Sequence, residues 1–296
     1  MATKKRRKQP QGTPNKKKNS KRLLYLLVPA ILCLGLIAHA LFSPRLEIPF
    51  VTAQSVLILD ADSGRTLYED NSDFPFSPAS LTKLMTVLLI FEDLDSGKLS
   101  LSDNYTVTPE DTEVVGSKYG LRPGQTVTAK QLLAGILLSS GCDCVEAMLH
   151  LMGETTESFV VRMNGKAAEL GMTGTHYLNA TGIDENGHFM TARDIGTLTL
   201  ALVKQYPQVL DYTSHDLLEI DGLLFRSTHR LVGEDERVLG LKTGTSTVGG
   251  YNLVTYASKD GEDRIIILLQ SDNPDSRFYE TTDILNALYG GTKDDG

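Results

Sequence analysis

The sequence predicts an α+β domain: one mainly antiparallel sheet built from both chain ends, with a helical region between, preceded by one N-terminal transmembrane helix. Three observations predict it. Strand-like apolar segments stand at the two ends of the domain, apolar residues recur at helical spacing through its middle, and a span of twenty uncharged residues follows a basic leader. Strands at both ends of a chain share one core only if those ends meet in a single sheet with the helices packed on it.

The leader comes first. Residues 1–22 hold ten Lys or Arg and no acid, and residues 23–42, LLYLLVPAILCLGLIAHALF, carry no charge unless His39 is protonated. Twenty such residues span a bilayer core as a helix, and flanking cations are retained on the cytoplasmic side, so the remainder is expected outside. Removing those ten cations from the total of 29 leaves nineteen basic against 37 acidic residues, a formal charge of −18. A domain this acidic excludes nucleic acid as a partner class. Ala38-His39-Ala40 also fits a signal-peptidase site, and cleavage after Ala40 would release the domain. Cys33 lies in the span, while Cys142 and Cys144 are too close for a relaxed disulfide. The six His are scattered singly, so neither a metal site nor a cofactor is expected.

After the span, residues 43–51 read as a stalk. SVLILD and RTLYED, separated by Ala61-Asp62-Ser63-Gly64, form a hairpin pattern with turn chemistry between them. Ser77-Pro78-Ala79 is a helix-start signal ahead of Leu84, Met85, Leu88 and Leu89, which places Ser80 in the first turn. Thr128 to Gln131 is a capping box followed by Leu132, Leu133, Ile136 and Leu137 on one face. Residues 154–170 and 191–205 continue the helical period. The period then becomes strand-like in RVLGLKTG, YNLVTYAS and DRIIILLQS, the last two joined by Lys259-Asp260-Gly261, and SRFYETTDILNALYG closes the domain as a helix.

Within this frame an ordered set of residues suits nucleophilic catalysis. A lone Ser-x-x-Lys is expected by chance about once in a chain of this size, so it needs company. Ser80 and Lys83 are followed sixty residues later by Ser140-Gly141-Cys142, and after a further 102 by Lys242-Thr243-Gly244. Positions i and i+3 share a helix face, so Lys83 reaches the Ser80 hydroxyl. A protonated lysine is no base, and desolvation plus a second cation such as Lys242 would lower its pKa. Lys242 at a strand end is suited to an anionic group, and Gly244 to close approach of a substrate backbone.

These motifs, with FPFSPASLTKLMT, GSKYGLRPGQTVTAKQLLAGILLSSG, FVVRMNGKAAELGMTGTHYLNATGIDENGHFMTARD and GLKTGTSTVGGYNLV around them, resemble the D-alanyl-D-alanine carboxypeptidases, the low-molecular-mass penicillin-binding proteins. The resemblance runs from about Thr52 to Tyr289 and implies the β-lactamase/DD-peptidase fold. It also implies that Ser80 attacks the penultimate D-Ala carbonyl of a peptidoglycan stem peptide ending in D-Ala-D-Ala, with Lys83 as general base and Ser140 as proton relay. Lys242, Thr243, Gly244, Thr245 and Cys142 would bind substrate, the backbone amides of Ser80 and Thr245 would form an oxyanion hole, and β-lactam antibiotics would acylate Ser80. Asn179, Gly182, His188, Thr191 and Asp194 match a further block and read as turn and cap residues.

Two departures from the pattern matter. Cys142 stands where the family usually has Asn, exchanging an amide for a weakly hydrogen-bonding thiol, while Asp143 follows in its customary place. Many relatives continue into a β-rich domain and a C-terminal amphipathic helix, whereas this sequence ends at GGTKDDG, and the N-terminal span is expected to replace that anchor. The expected organisation is a cytoplasmic tail (1–22), a span or signal anchor (23–42), the stalk (43–51), a catalytic domain (52–292) and a tail (293–296). A DD-transpeptidase using the same site and a catalytically weak wall-binding protein are the alternative functions. A class A β-lactamase is disfavoured, because Thr175 occupies the acid's place in Glu-x-x-Leu-Asn.

Overall fold

The structure, a computed structural model, describes residues 46–290 together with Met1, Ala2, Gln9 and Tyr25 as isolated positions. The predicted span 23–42, Tyr25 apart, and both tails at 1–22 and 293–296 therefore lie essentially outside the described residues. Among the described residues no helix is long and apolar enough to cross a membrane.

Strand β1 (Ser55–Asp60) turns into β2 (Thr66–Asp70), and the chain then enters a 3-10 turn at Ala79–Thr82 that leads into helix α1 (Lys83–Asp95). A small hairpin of β3 (Asn104–Thr106) and β4 (Thr126–Thr128) precedes α2 (Ala129–Leu137), α3 (Cys142–Leu151) and α4 (Thr156–Glu169). Helix α5 (Ala192–Gln205) is followed by a second small hairpin, β5 (Leu217–Ile220) with β6 (Leu223–Arg226). Strands β7 (Val238–Ser246), β8 (Gly250–Lys259) and β9 (Glu262–Ser271) and helix α6 (Ser276–Tyr289) end the domain. The capping box at Thr128 forms, and Thr191 caps α5 by accepting from the Asp194 amide.

The main sheet has the order β2-β1-β9-β8-β7, antiparallel throughout, so β1 from the front of the domain pairs with β9 from its end. Its inner strands read as near-continuous apolar runs because both faces are covered. Leu57, Leu59, Ile265, Ile267 and Leu269 join the large core beneath the helices, whereas Val56, Ile58, Ile266 and Leu268 join a second core with Phe278, Ile284 and Leu285 of α6. Each such side chain contributes roughly 1.5–3 kcal/mol on burial. Leu46, Ile48 and Val51, in the segment read as a stalk, pack on that second core.

The two small hairpins are absent from the sequence reading. Their strands are three or four residues long and pair only with each other, too short to establish a period. Ser80 lies in the 3-10 turn just ahead of α1, and β7 continues two residues past Gly244.

Candidate active site

The Ser80 turn is wedged between the sheet and the loop that follows α4. Asn252 of β8 donates its side-chain amide to the Ser77 and Pro78 carbonyls at 3.3 and 3.2 Å, which ties the turn to the sheet. Gly244 of β7 lies against the same turn, where a Cβ would stand 2.7 Å from the Pro78 carbonyl oxygen and 3.2 Å from Leu81. The missing side chain of Gly244 thus lets β7 pack against the turn that carries Ser80, a role additional to the substrate approach expected from the sequence. On the other side, Gly182 presses against the Ala79 carbonyl. The chain takes positive φ at Ala79 (49°) and Ser140 (57°), a conformation that costs an L-residue about 1–2 kcal/mol.

Within this frame Lys83 Nζ donates to Ser80 Oγ at 2.9 Å and to the Thr181 carbonyl at 2.6 Å, and meets Cys142 Sγ at 3.5 Å. Lys83 is fully buried while Ser80 is half-buried, so the nucleophile faces a cavity and its lysine does not. Burial lowers the Lys83 pKa against an opposing influence from Cys142. Lys242 Nζ donates to Ser140 Oγ at 2.8 Å and to the Thr243 carbonyl at 3.1 Å. Burial, and then the charge of Lys83, hold Lys242 well below an ordinary lysine. Each serine hydroxyl thus has a lysine amine with a depressed pKa at hydrogen-bond distance, the arrangement that moves protons to and from a nucleophile.

The structure therefore brings together two hydrogen-bonded sets, Ser80 with Lys83 and Cys142 and Ser140 with Lys242 of β7, near enough for the charge of Lys83 to act on Lys242. Ser80, Cys142 and Thr245 line a cavity of about 260 Å³ together with residues 115–117 and 181–184. Lys242 is only 1% exposed and Ser140 4%, so this pair lies buried behind the residues that line the cavity. Thr243 is 6% exposed and shares a 2.7 Å hydroxyl contact with Thr228. Among the described residues no group of three or more His, Cys, Asp or Glu is placed to hold a metal ion.

Three supporting residues escaped the sequence reading or were read as scaffold alone. Arg277 of α6 donates from Nη1 to the Gly244 carbonyl, Thr245 Oγ1 and the Asn252 carbonyl at 2.8, 2.9 and 3.1 Å. Burial lowers its pKa only to about 10, which leaves a cation behind Thr245 at neutral pH. No short motif marks Arg277; the one signal is an arginine on the core side of an amphipathic helix. Asn179 Oδ1 accepts from the amides of Thr181, Gly182 and Ile183, and so fixes the loop whose Thr181 carbonyl holds Lys83. Asp143 accepts from the amides of Tyr119, Gly120 and Leu121, which anchors the loop opposite at residues 115–121.

The remaining sequence candidates are structural. His188 accepts from the Leu178 amide at Nδ1 and meets Thr82 Oγ1 at Nε2, and burial lowers its pKa to about 4, so it is neutral and takes no part in proton transfer near neutrality. Thr175 donates to Asp194 Oδ2 and does not line the Ser80 cavity.

Comparison with known proteins places this geometry in context. A family profile described as D-alanyl-D-alanine carboxypeptidase matches residues 44–273. The chain is 34% identical over 242 residues to the D-alanyl-D-alanine carboxypeptidase DacF of Bacillus subtilis, covering 80% of this chain and 62% of that protein. It is 34% identical over 249 residues to DacC of Escherichia coli, covering 81% and 62%. The chain thus spans somewhat under two thirds of the length of these curated relatives. Among solved structures, penicillin-binding protein D2 of Listeria monocytogenes in its cefotaxime-bound form superposes with a TM-score of 0.76 at 28% identity, covering 82% of this chain and 99% of that one.

Proposed function

The chain belongs to the D-alanyl-D-alanine carboxypeptidase family, and from that premise we propose that it removes the terminal D-Ala from peptidoglycan stem peptides through an acyl-enzyme on Ser80. The observation that carries the reading is the 2.9 Å contact from Lys83 Nζ to Ser80 Oγ, made by an amine whose burial favours its neutral form. Lys83 takes the hydroxyl proton as Oγ attacks the penultimate D-Ala carbonyl. The backbone amides of Ser80 and Thr245 receive the negative charge that develops on the carbonyl oxygen, where losing one donor typically costs about 10²–10³ in rate. Ser140 hands a proton to the departing amine, and Lys242 resupplies it through their 2.8 Å contact.

Thr243 and Thr245 address the terminal carboxylate, with Arg277 behind Thr245 as the cation that persists at neutral pH. Gly244 keeps β7 close enough to Ser80 for the substrate to lie between them. Water then resolves the acyl-enzyme, and no cofactor enters. β-Lactams, which mimic D-Ala-D-Ala, acylate the same serine. Cys142 is the observation that favours transpeptidation as a second reading, since a thiol 3.5 Å from Lys83 orients that amine less firmly than an amide would.

The rest of the organisation follows from residues outside the described domain. The basic residues 1–22 stay in the cytoplasm, residues 23–42 anchor the chain in the bacterial membrane unless it is cleaved after Ala40, and the catalytic domain works outside.

The test is intact-protein mass spectrometry of the detergent-solubilised chain after incubation with benzylpenicillin, wild type beside Ser80→Ala. A penicilloyl adduct confined to the wild type, with only slow turnover of a chromogenic cephalosporin, is the expected result. A folded wild type that forms no adduct would refute the enzymatic reading in favour of wall binding.

A further inference from the structure

The hydroxyl of Thr243, which the proposed reaction turns toward the terminal carboxylate, stands 2.7 Å from Thr228 Oγ1. A threonine hydroxyl has one proton to give and two lone pairs that receive. Of two hydroxyls at this distance one donates and the other accepts, and in the free protein either direction satisfies the contact. A carboxylate removes that freedom, because it only accepts. Once it docks, Thr243 must give its proton to the carboxylate and receive one from Thr228.

The backbone that carries Thr228 is firmly held. Two residues beyond β6, the Thr228 amide donates to the Leu138 carbonyl at 3.0 Å, two residues ahead of Ser140. On one side the Ser227 amide donates to the Asp216 carbonyl at 2.7 Å, and Ser227 Oγ accepts from the His229 amide at 3.1 Å. On the other, buried His229 meets Thr255 Oγ1 of β8 at 2.9 Å, and burial lowers its pKa to about 3, so it is a neutral anchor near neutral pH. Thr228 therefore presents its hydroxyl from a fixed place while touching both β7 and the turn that leads into Ser140.

We propose that Thr228 is a positioning residue for the terminal carboxylate: its hydroxyl donates to Thr243 Oγ1 and so commits the Thr243 hydroxyl to donate to the substrate. The proposal rests on the carboxypeptidase reading given above. A hydroxyl that accepts one hydrogen bond is polarised and gives a stronger one, and the gain is largest toward a charged acceptor. Removing the Thr228 hydroxyl loosens that bond without abolishing it, which corresponds to a loss of about three- to ten-fold in kcat/KM. The loss resides mainly in KM, because the carboxylate is held alike before and during attack.

The experiment uses two N-acetylated peptides of one sequence ending in D-Ala-D-Ala, the first with a free C-terminal carboxylate and the second amidated there. Release of D-Ala or of D-alaninamide is followed by mass spectrometry with the full-length enzyme, in wild type, Thr228→Val and Thr228→Ser. The expected result is an acid-to-amide ratio of kcat/KM well above one in the wild type, about three- to ten-fold lower in Thr228→Val and restored to within about two-fold in Thr228→Ser. If Thr228→Val fails to fold, Thr228→Ala removes the same hydroxyl at this exposed position and takes its place. A purely structural role would slow both peptides alike, so an unchanged ratio in the folded variant would overturn the role of Thr228. A wild-type ratio near one would overturn it too, and on enzyme that benzylpenicillin acylates either result leaves the carboxypeptidase reading standing. Failure to cleave either peptide, together with failure to form the adduct, would overturn both.

Discussion

Gly182→Ala tests whether the loop after α4 sets the position of the nucleophile. Gly182 has a φ of 83°, and a Cβ built on it falls 1.9 Å from the Ala79 carbonyl oxygen, next to Ser80, and 2.4 Å from the carbonyl carbon. A carbon–oxygen contact relaxes near 3.3 Å, so loop and turn must separate by about 1.4 Å. That opening stretches the 2.6 Å bond from Lys83 to the Thr181 carbonyl and displaces Ser80, and a misplacement of about 1 Å is enough to cost on the order of 10²-fold in rate. Adding about 1–2 kcal/mol for a left-handed alanine to about 1–3 kcal/mol for overpacking gives a loss of roughly 2–5 kcal/mol, or about 10 °C in a domain of this size. The assay is the rate of penicilloyl-adduct formation by intact mass, beside a thermal melt. Gly171→Ala is the control, since Gly171 has φ 73° but nothing within 4 Å, and it is expected to lose a few degrees with an acylation rate within about two-fold of wild type. Wild-type acylation by a folded Gly182→Ala, or equal slowing in Gly171→Ala, would refute the interlock between loop and nucleophile.

Asn179→Ala removes the acceptor for three loop amides and is expected to slow acylation by about 10- to 100-fold, with Asn179→Asp, which keeps the acceptor, recovering much of the rate when both are timed by adduct formation. Cys142→Asn restores a strong donor and acceptor beside Lys83 and is expected to raise hydrolysis relative to transfer several-fold; an unchanged product ratio on a D-Ala-D-Ala peptide with an added amine acceptor would show that the thiol is neutral to partitioning. Stability should fall as pH drops from 6.5 toward 4, because unfolded His188 takes up a proton near 6.5 while the folded state resists protonation down to about 4. The loss attributable to His188 approaches about 3 kcal/mol, and urea melts across that window should show a shallower pH slope for His188→Asn.

Much of the fold was legible because its signals are local. β1, β7, β8 and β9, the caps at Thr128 and Thr191 and the closing helix all announce themselves through period or cap chemistry within a few residues. The pairing of β1 with β9 was legible only as a consequence, since strands at both ends must share one core. The Ser80–Lys83 contact was legible for a similar reason, as three residues of helix-like chain fix it. Ser140 with Lys242 was legible as motif but not as geometry, because 102 residues separate the partners and only the folded sheet brings them to 2.8 Å.

What the sequence concealed depends on which face of an element meets which neighbour. Gly244 was read for the approach of a substrate backbone, and the folded chain adds a second role, since its missing side chain also makes room for Pro78 and Leu81, neighbours that no local signal names. Arg277 carries no motif, yet three oxygens behind β7 converge on its Nη1, so its importance lies in β7 and β8 and not in its own helix.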